Sequence, residues 1–195
     1  MDPVIVGISG ASGSILAKRT IDLLIDNNIP VVVTCTSAAR MVWQEEMEQT
    51  FQSTVAKWSE YPEFSYCQIG DLKASIASGT TPTTGMIVTP CSTGTLAAIA
   101  NGLSTNLLQR AADVCLKEKR KLVLVPRETP LSAIHLENML KVARLGVTVL
   151  PPEPAFYLKP ESVEDIVEYI VAKSIDALSV SGFMNANLRY HRSSD

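Results

Sequence analysis

Positions 126–130 read Pro-Arg-Glu-Thr-Pro and follow directly on the apolar run Lys121-Leu122-Val123-Leu124-Val125. An Arg beside a carboxylate at the end of a buried strand has two readings. Arg127 can hold an anion while Glu128 passes a proton, or the two form a structural ion pair. Thr129-Pro130 reads as the N-cap and first residue of the next helix, which makes the turn short and stiff. Three further stretches carry residue types suited to the same chemistry. In Gly10-Ala11-Ser12-Gly13, small side chains let the backbone approach a ligand, and the helix that follows turns N–H groups and its positive dipole end toward an anion. Close helix–strand packing explains the same residues equally well. Pro90-Cys91-Ser92-Thr93-Gly94-Thr95 offers hydroxyls to a phosphate or a polar ring edge, or serves simply as a helix cap. Cys91 has no base beside it and reads as a small buried side chain rather than a nucleophile. Arg110, Asp113 and Lys117 share one helix face, with Arg110 and Lys117 roughly 10 Å apart along the axis. They can grip a phosphate as fork and point charge; taken alone, an ordinary Asp113–Lys117 pair is the better reading.

The glycine spacing is not that of the dinucleotide fingerprint, and Thr34-Cys35-Thr36 ends the second strand without the acidic residue that holds a ribose. A phosphorylated mononucleotide therefore fits better than NAD. Neither His135, inside a helix, nor His191, in the tail, lies at a strand tip, so no His-centred mechanism is expected. Two ligand-like strand tips in one chain favour the binding reading over the capping one, because open α/β sheets take their ligands along that edge.

Such tips must be placed by strands. Val4–Ser9, Val31–Thr36, Met86–Thr89, Leu122–Val125 and Val147–Leu150 are continuous apolar or β-branched runs without polar alternation, as in a parallel sheet covered on both faces. Helical patterns fall between them at about 14–27, 38–49, 93–100, 106–119 and 131–145, with a last helix at 162–179. That last helix opens on Ser162 and Asp165, a capping-box pattern, and Val163, Ile166, Val167, Ile170, Ser174 and Leu178 trace one face. The expected fold is α/β: a three-layer, doubly wound parallel sheet of the flavodoxin-like or Rossmann-like kind. Residues 50–84 are the least regular, with Trp58, Tyr61, Phe64 and Tyr66 among polar residues, and read as a short helical or extended insertion ending in a loop. The 195 residues read as a single domain, with about 180–195 as a tail suited to packing on a neighbouring subunit.

Composition narrows the function. Hydrophobic residues make up 46% and charged residues 19%, and the net charge of -3 gives no footprint for nucleic acid. The cluster Lys117-Glu118-Lys119-Arg120 reads as a solvated helix end. No apolar run approaches a membrane span, the first residues lack a signal-peptide pattern, and a cytoplasmic protein is expected. Cys35, Cys67, Cys91 and Cys115 form no C-x-x-C pair, so free thiols rather than a zinc site are expected.

Together these residues resemble the flavin prenyltransferases of the UbiX type. The resemblance runs through nearly the whole chain. It is carried by Gly10-Ala11-Ser12-Gly13, Pro90-Cys91-Ser92-Thr93-Gly94-Thr95-Leu96, Asn106–Val114, Leu116-Lys117-Glu118, Pro126–Pro130, Ile134–Leu140 and Pro154-Ala155-Phe156-Tyr157. It implies an enzyme that joins the dimethylallyl group of dimethylallyl phosphate to N5 and C6 of reduced FMN, without a metal. The prenylated FMN then goes to a UbiD-type decarboxylase. It also implies a homo-oligomer, dodecameric in the family, with sites shared between subunits. Carried over by motif, Gly10, Ala11, Ser12, Thr36, Ser92, Thr93, Gly94, Thr95 and Arg127 should touch FMN. Arg110, Lys117, Tyr157 and Lys173 should hold dimethylallyl phosphate, with Arg127 and Ser12 close by. Glu128, with Ser12, should manage protons; Glu46 should lie near the flavin–isoprenoid junction, and Lys117 should steady the leaving phosphate.

Two positions depart from the family pattern. Thr36 stands where Ser is common, and Lys173 where a phosphate-binding Arg is common, which keeps the charge but loses bidentate geometry. Two other readings share parts of this pattern: an FMN-dependent cysteine decarboxylase, which needs a base near the first helices, and a non-catalytic FMN carrier, which needs no second phosphate site.

Overall fold

Six fully or partly buried runs pair as one parallel sheet in the order β3-β2-β1-β4-β5-β6. The computed structural model describes residues 1–184 and Leu188. The strands are β1 (Val4–Ile8), β2 (Val31–Cys35), β3 (Phe64–Tyr66), β4 (Gly85–Cys91), β5 (Lys121–Pro126) and β6 (Thr148–Val149). This is the doubly wound class expected, with the strand order that reverses between β1 and β4. Five of the strands were legible as apolar runs. The sixth, β3, is short and polar in the middle, and only its pairing with β2 makes it a strand.

Alternation within each strand splits the core into two layers. Val4, Val6, Ile8, Val33, Ile87 and Val123 face a layer that includes α1 (Ser14–Asp26), α2 (Ser37–Glu46), α3 (Phe51–Trp58) and α7 (Val163–Ala177). Ile5, Val32, Met86, Val88, Leu122 and Leu124 face the other layer, which includes α4 (Thr93–Ala100), α5 (Leu107–Lys117) and α6 (Ala133–Arg144). The expected capping box of α7 is present: Ser162 Oγ accepts from the Asp165 N–H, and Asp165 accepts from the Ser162 N–H. Gly85 opens β4 at φ +151, and a Cβ there would lie 2.6 Å from the Lys121 carbonyl oxygen, so only glycine lets β4 and β5 approach at this point.

Residues 50–84 gain their order from aromatic packing. Trp43 meets Phe51 and Trp58 edge-on, with ring centroids 5.2 Å and 6.1 Å away, and Trp58 in turn packs on Phe64. The irregular stretch that follows is clasped by two arginines. Arg110 Nε donates to the Ala77 carbonyl, and Arg120 donates to the carbonyls of Gly79 and Thr81 and to Thr83 Oγ1. The basic cluster at 117–120 is therefore more than a solvated helix end, because Arg120 satisfies carbonyls that no strand or helix pairs. Thr129-Pro130 does not start α6. That helix begins two residues after Leu131, capped by Ser132, whose partner at the third helical position is His135. The four cysteines are free, and those at 35, 91 and 115 are buried. Most of the expected C-terminal packing segment, including His191, lies outside the described residues.

Candidate functional site at the carboxyl edge of the sheet

Four adjacent strand tips are laced together by hydrogen bonds. Ser9, just past β1, donates from Oγ to the Pro90 carbonyl at 3.0 Å and accepts from the Ser92 N–H at 2.7 Å. The Thr36 N–H reaches the Ile8 carbonyl, and the Arg127 N–H reaches the Cys91 carbonyl. The segments that follow β2, β1, β4 and β5 therefore stand side by side, and they carry Thr36, Gly10–Ser12, Ser92–Thr95 and Arg127–Glu128. The switch in winding direction lies in the middle of this row, where a crevice forms in folds of this class.

Three helices present their N-termini to that edge, and one of them is capped differently from the other two. Thr36 Oγ1 accepts from the Ala39 N–H and caps α2. Ser92 Oγ accepts from the Thr95 N–H and donates to Thr95 Oγ1, capping α4. Helix α1 has no cap of its own, since its N-cap is Gly13 at φ +118. The carboxylate of Glu46, from the last turn of α2, fills the place. It accepts from the Gly13 N–H at 3.0 Å and the Ser14 N–H at 2.7 Å. Burial works against the Glu46 charge, yet the Ser12 hydroxyl and the Ser14 and Gly13 N–H groups hold its carboxyl below the usual carboxylate range. The first turn was expected to offer the α1 terminus to an external anion; the chain supplies that anion itself.

The consequence is a division of labour. With the α1 terminus neutralised, the N–H groups open to a ligand phosphate belong to α2 and α4. Gly10 is pressed against α2, where a Cβ would lie 2.5 Å from that of Ala38. At Gly94, by contrast, nothing lies within 4 Å of an added Cβ, so no packing within the chain requires a glycine on the first turn of α4. A small residue there leaves a flat approach beside three hydroxyl-bearing neighbours. These features fit FMN, whose phosphate and ring edge would be held by Thr36, Ser92–Thr95 and Gly10–Ser12. Cys91 is fully buried and its thiol is pushed up to about 12, so it is not a nucleophile at neutral pH.

Arg127 and Glu128 are both exposed. Glu128 Oε1 accepts from the Thr129 N–H, so its carboxylate folds back on its own turn rather than pairing with Arg127. The ion-pair alternative is not what this chain forms.

Four expected residues have other partners or other places within one chain. Arg110 pairs with Asp113 at 2.7 Å, and Lys117 pairs with Glu118, in place of the Asp113–Lys117 pair the spacing suggested. Helix α5 runs away from the edge, and Lys117 ends it four residues before β5 begins, at the opposite side of the sheet. Lys173 is exposed on α7, ten residues beyond its first, or ~15 Å along the axis. Tyr157 lies in the 3-10 turn Phe156–Leu158 after β6, in hydrogen-bond contact with Tyr169, whose pKa this contact raises. A cleft of about 810 Å³ on the flank of α1 meets the strand tips only at Ser12, Gly13 and Glu46. Its cations are already engaged: Lys18 with Asp22, Arg19 with Glu168, and Lys57 with Gln49. The strand tips therefore make the better flavin site.

Sequence reasoning missed two contributors. Ser9 reads from sequence only as the end of the first strand run, although it ties β1 to β4. The capping role of Glu46 has no local signal, because its partners are more than thirty residues away in the chain.

A family model described as Flavoprotein matches residues 2–175. The flavin prenyltransferase UbiX of Halalkalibacterium halodurans is 45% identical over 180 residues, covering 90% of this chain and 87% of the relative. Among solved structures, AnUbiX (PadA1) in complex with FMN and dimethylallyl pyrophosphate superposes with a TM-score of 0.90 at 36% identity, covering 100% of this chain and 99% of that one. A dodecameric FMN-dependent UbiX-like decarboxylase from Escherichia coli O157:H7 superposes with a TM-score of 0.86 at 42% identity, over 92% of this chain and 95% of that one.

Proposed function

The chain belongs to the UbiX family of flavin prenyltransferases, and on that premise we propose how its own residues divide the work of prenyl transfer to FMN. The enzyme joins the dimethylallyl group of dimethylallyl phosphate to reduced FMN, releasing inorganic phosphate. The observation that carries the residue assignment is the laced row of strand tips, which sets Gly10–Ser12, Thr36, Ser92–Thr95 and Arg127–Glu128 along one edge. Reduced FMN supplies the nucleophilic N5 and the C6 position at which the new ring closes. In this reading Thr36 and Ser92–Thr95 hold its phosphate and ring edge, while Gly10 and Ala11 let the ring lie close to the backbone. Arg127 presents a fixed cation to phosphate oxygens, and preorganised charge of this kind is worth about 2.7–4 kcal/mol per donor where it has been measured. Glu128, with Ser12 as the intervening hydroxyl, takes or gives the proton. Glu46 fixes Ser12 at the point where flavin and isoprenoid meet.

Arg110, Lys117, Tyr157 and Lys173 are assigned to the phosphate of the second substrate, contributed across a subunit boundary. What supports this is the apolar surface of α6 and its neighbours. Ile134, Leu136 and Leu140 are 68%, 52% and 51% exposed, Phe156 is 76% exposed, and Val142 is the one α6 residue fully buried. A helix so exposed calls for a partner, and a second copy of the chain is the partner that would also complete the site. The whole chain then acts as one flavoprotein domain in a homo-oligomer, in the cytoplasm, with a UbiD-type decarboxylase as recipient of the prenylated FMN. No helix among the described residues is long and apolar enough to cross a membrane.

Anaerobic incubation with reduced FMN and dimethylallyl phosphate, followed by mass analysis of the released flavin, tests the activity. A gain of one isoprenoid unit is expected. A flavin that binds and is released with unchanged mass would point to an FMN carrier instead.

A further inference from the structure

The pairing of β1 with β4 runs from Val4 and Gly85 to Gly7 and Val88, and there the regular ladder stops. Two features of β4 end it. Its register shifts between Val88 and Cys91, and Pro90 has no N–H to donate. Beyond this point β1 leads into the Gly10–Ser12 turn and β4 into the Ser92–Thr95 turn. Both turns are assigned to the flavin, yet the sheet no longer sets their separation. Ser9, fully buried between them, takes over. Its N–H donates to the Pro90 carbonyl at 3.2 Å, and its Oγ donates to the same carbonyl at 3.0 Å. In a regular parallel ladder a residue that donates to one carbonyl accepts, at its own carbonyl, the N–H two places further along the neighbour. Here that N–H belongs to Ser92. The Ser9 carbonyl is already taken, because it accepts from the Ala11 N–H at 2.8 Å and closes the turn after β1. The Ser92 N–H therefore goes to Ser9 Oγ, at 2.7 Å. The carbonyl of one residue shapes one ligand turn, and its hydroxyl places the other. The Ser92 side chain bonds only within the cap of α4, and the Cys91 carbonyl is held from the β5 side by the Arg127 N–H. Among the described residues, no other hydrogen bond joins the Ser92–Thr95 turn to β1.

We infer that Ser9 is a positioning residue for FMN: its hydroxyl holds the first turn of α4 at the distance from β1 at which the Thr93 and Gly94 N–H groups meet the flavin phosphate. Those two N–H groups precede the Thr95 N–H that the Ser92 cap satisfies, so they are the ones a helix start leaves for a ligand. The inference rests on the proposed seat of FMN at the strand tips, and within that seat it gives the phosphate to α4. Helix α2 keeps its own tie, from the Thr36 N–H to the Ile8 carbonyl, so loss of the Ser9 hydroxyl is felt on the α4 side. Without that hydroxyl the Ser92 N–H has no acceptor, and the turn shifts to find one.

The test compares the full-length wild type with Ser9→Ala, which removes the hydroxyl, and with Ser9→Cys, whose sulfur is a weaker acceptor in the same place. Kd is measured for FMN and for riboflavin, which carries the same ring without the phosphate, and urea midpoints are recorded without ligand. A merely structural loss lowers the midpoint and weakens both ligands by the same factor. Positioning lowers the preference for FMN over riboflavin, by about tenfold in Ser9→Ala, which is 1.4 kcal/mol, and by a smaller factor in Ser9→Cys. If Ser9→Ala does not fold, Ser9→Cys decides alone. A preference that stays at the wild-type value in the folded variants, whatever happens to the urea midpoint, overturns the positioning role and leaves the strand-tip site standing. A wild type that binds riboflavin as tightly as FMN would instead overturn the assignment of the phosphate to the strand tips, and the role of Ser9 with it.

Discussion

Glu46 and Glu128 are two carboxylates near one edge with opposite duties. Glu46 is surrounded by donors and stays charged; its place is structural and electrostatic. Its native pKa lies below the unfolded value, so the unfolded chain binds the proton first as pH falls. The stability it contributes is therefore present above about pH 4.3 and lost as the pH drops through the native value. Glu46→Gln should lower the urea midpoint at pH 7 by an amount worth under ~1 kcal/mol, because the group faces solvent and is screened. As the pH falls through that native value the wild-type carboxylate itself loses its charge, and the gap between the two proteins should narrow. Among the described residues Glu128 has only the N–H of its own neighbour as a partner, which leaves it available to a substrate. Glu128→Gln should bind FMN with wild-type affinity and slow prenyl transfer at least about 100-fold, the lower range for loss of a general acid–base group. Unchanged turnover would remove Glu128 from the mechanism.

Helix α2 joins the two ends of this arrangement. Thr36 caps its start at the tip of β2, and Glu46 leaves its last turn to cap α1. What holds α2 in place is the aromatic cluster built by α3 and β3, with Trp43 and Trp58 both buried. Trp58 Nε1 also donates to Asp22 on α1 at 2.7 Å, so the cluster is tied to the helix that Glu46 caps. Trp58→Ala should therefore cost ~3–5 kcal/mol by denaturant unfolding. It should also weaken FMN binding without any contact to the ligand. If stability falls and FMN affinity does not, α2 is placed by its other contacts. Helix α5 shows the limit of reading function from a helical face. Arg110 and Lys117 share a side, as their spacing requires, but the direction of the helix carries Lys117 to the far side of the sheet.

The molecule as a whole is incomplete as a single chain in one respect: α6 carries a row of exposed leucine and isoleucine side chains. Leu136→Glu with Leu140→Glu should leave the two core layers intact and dissociate the assembly, read as a lower mass by light scattering at unchanged helical circular dichroism. Turnover should fall with the mass if Arg110, Lys117, Tyr157 and Lys173 act across the boundary; full turnover in a dissociated protein would return the site to one chain. The sequence by itself determined the doubly wound parallel sheet, because buried β-branched runs alternating with amphipathic helices admit few other packings. It also determined the strand-tip segments at Gly10–Ser12, Ser92–Thr95 and Arg127–Glu128, since glycine, hydroxyl and charge concentrate where strands end. Even the capping box of α7 was visible, its partners being three residues apart. Only the tertiary structure decided that α1 is capped by Glu46, that Ser9 ties β1 to β4, that Arg120 clasps the 79–83 loop, and that α6 starts at Ser132 rather than Thr129-Pro130. The first three join residues from 32 to 83 positions apart, and local periodicity carries no information about which distant groups will meet. The last was a contest between two helix starts three residues apart, settled by the pairing of Ser132 with His135.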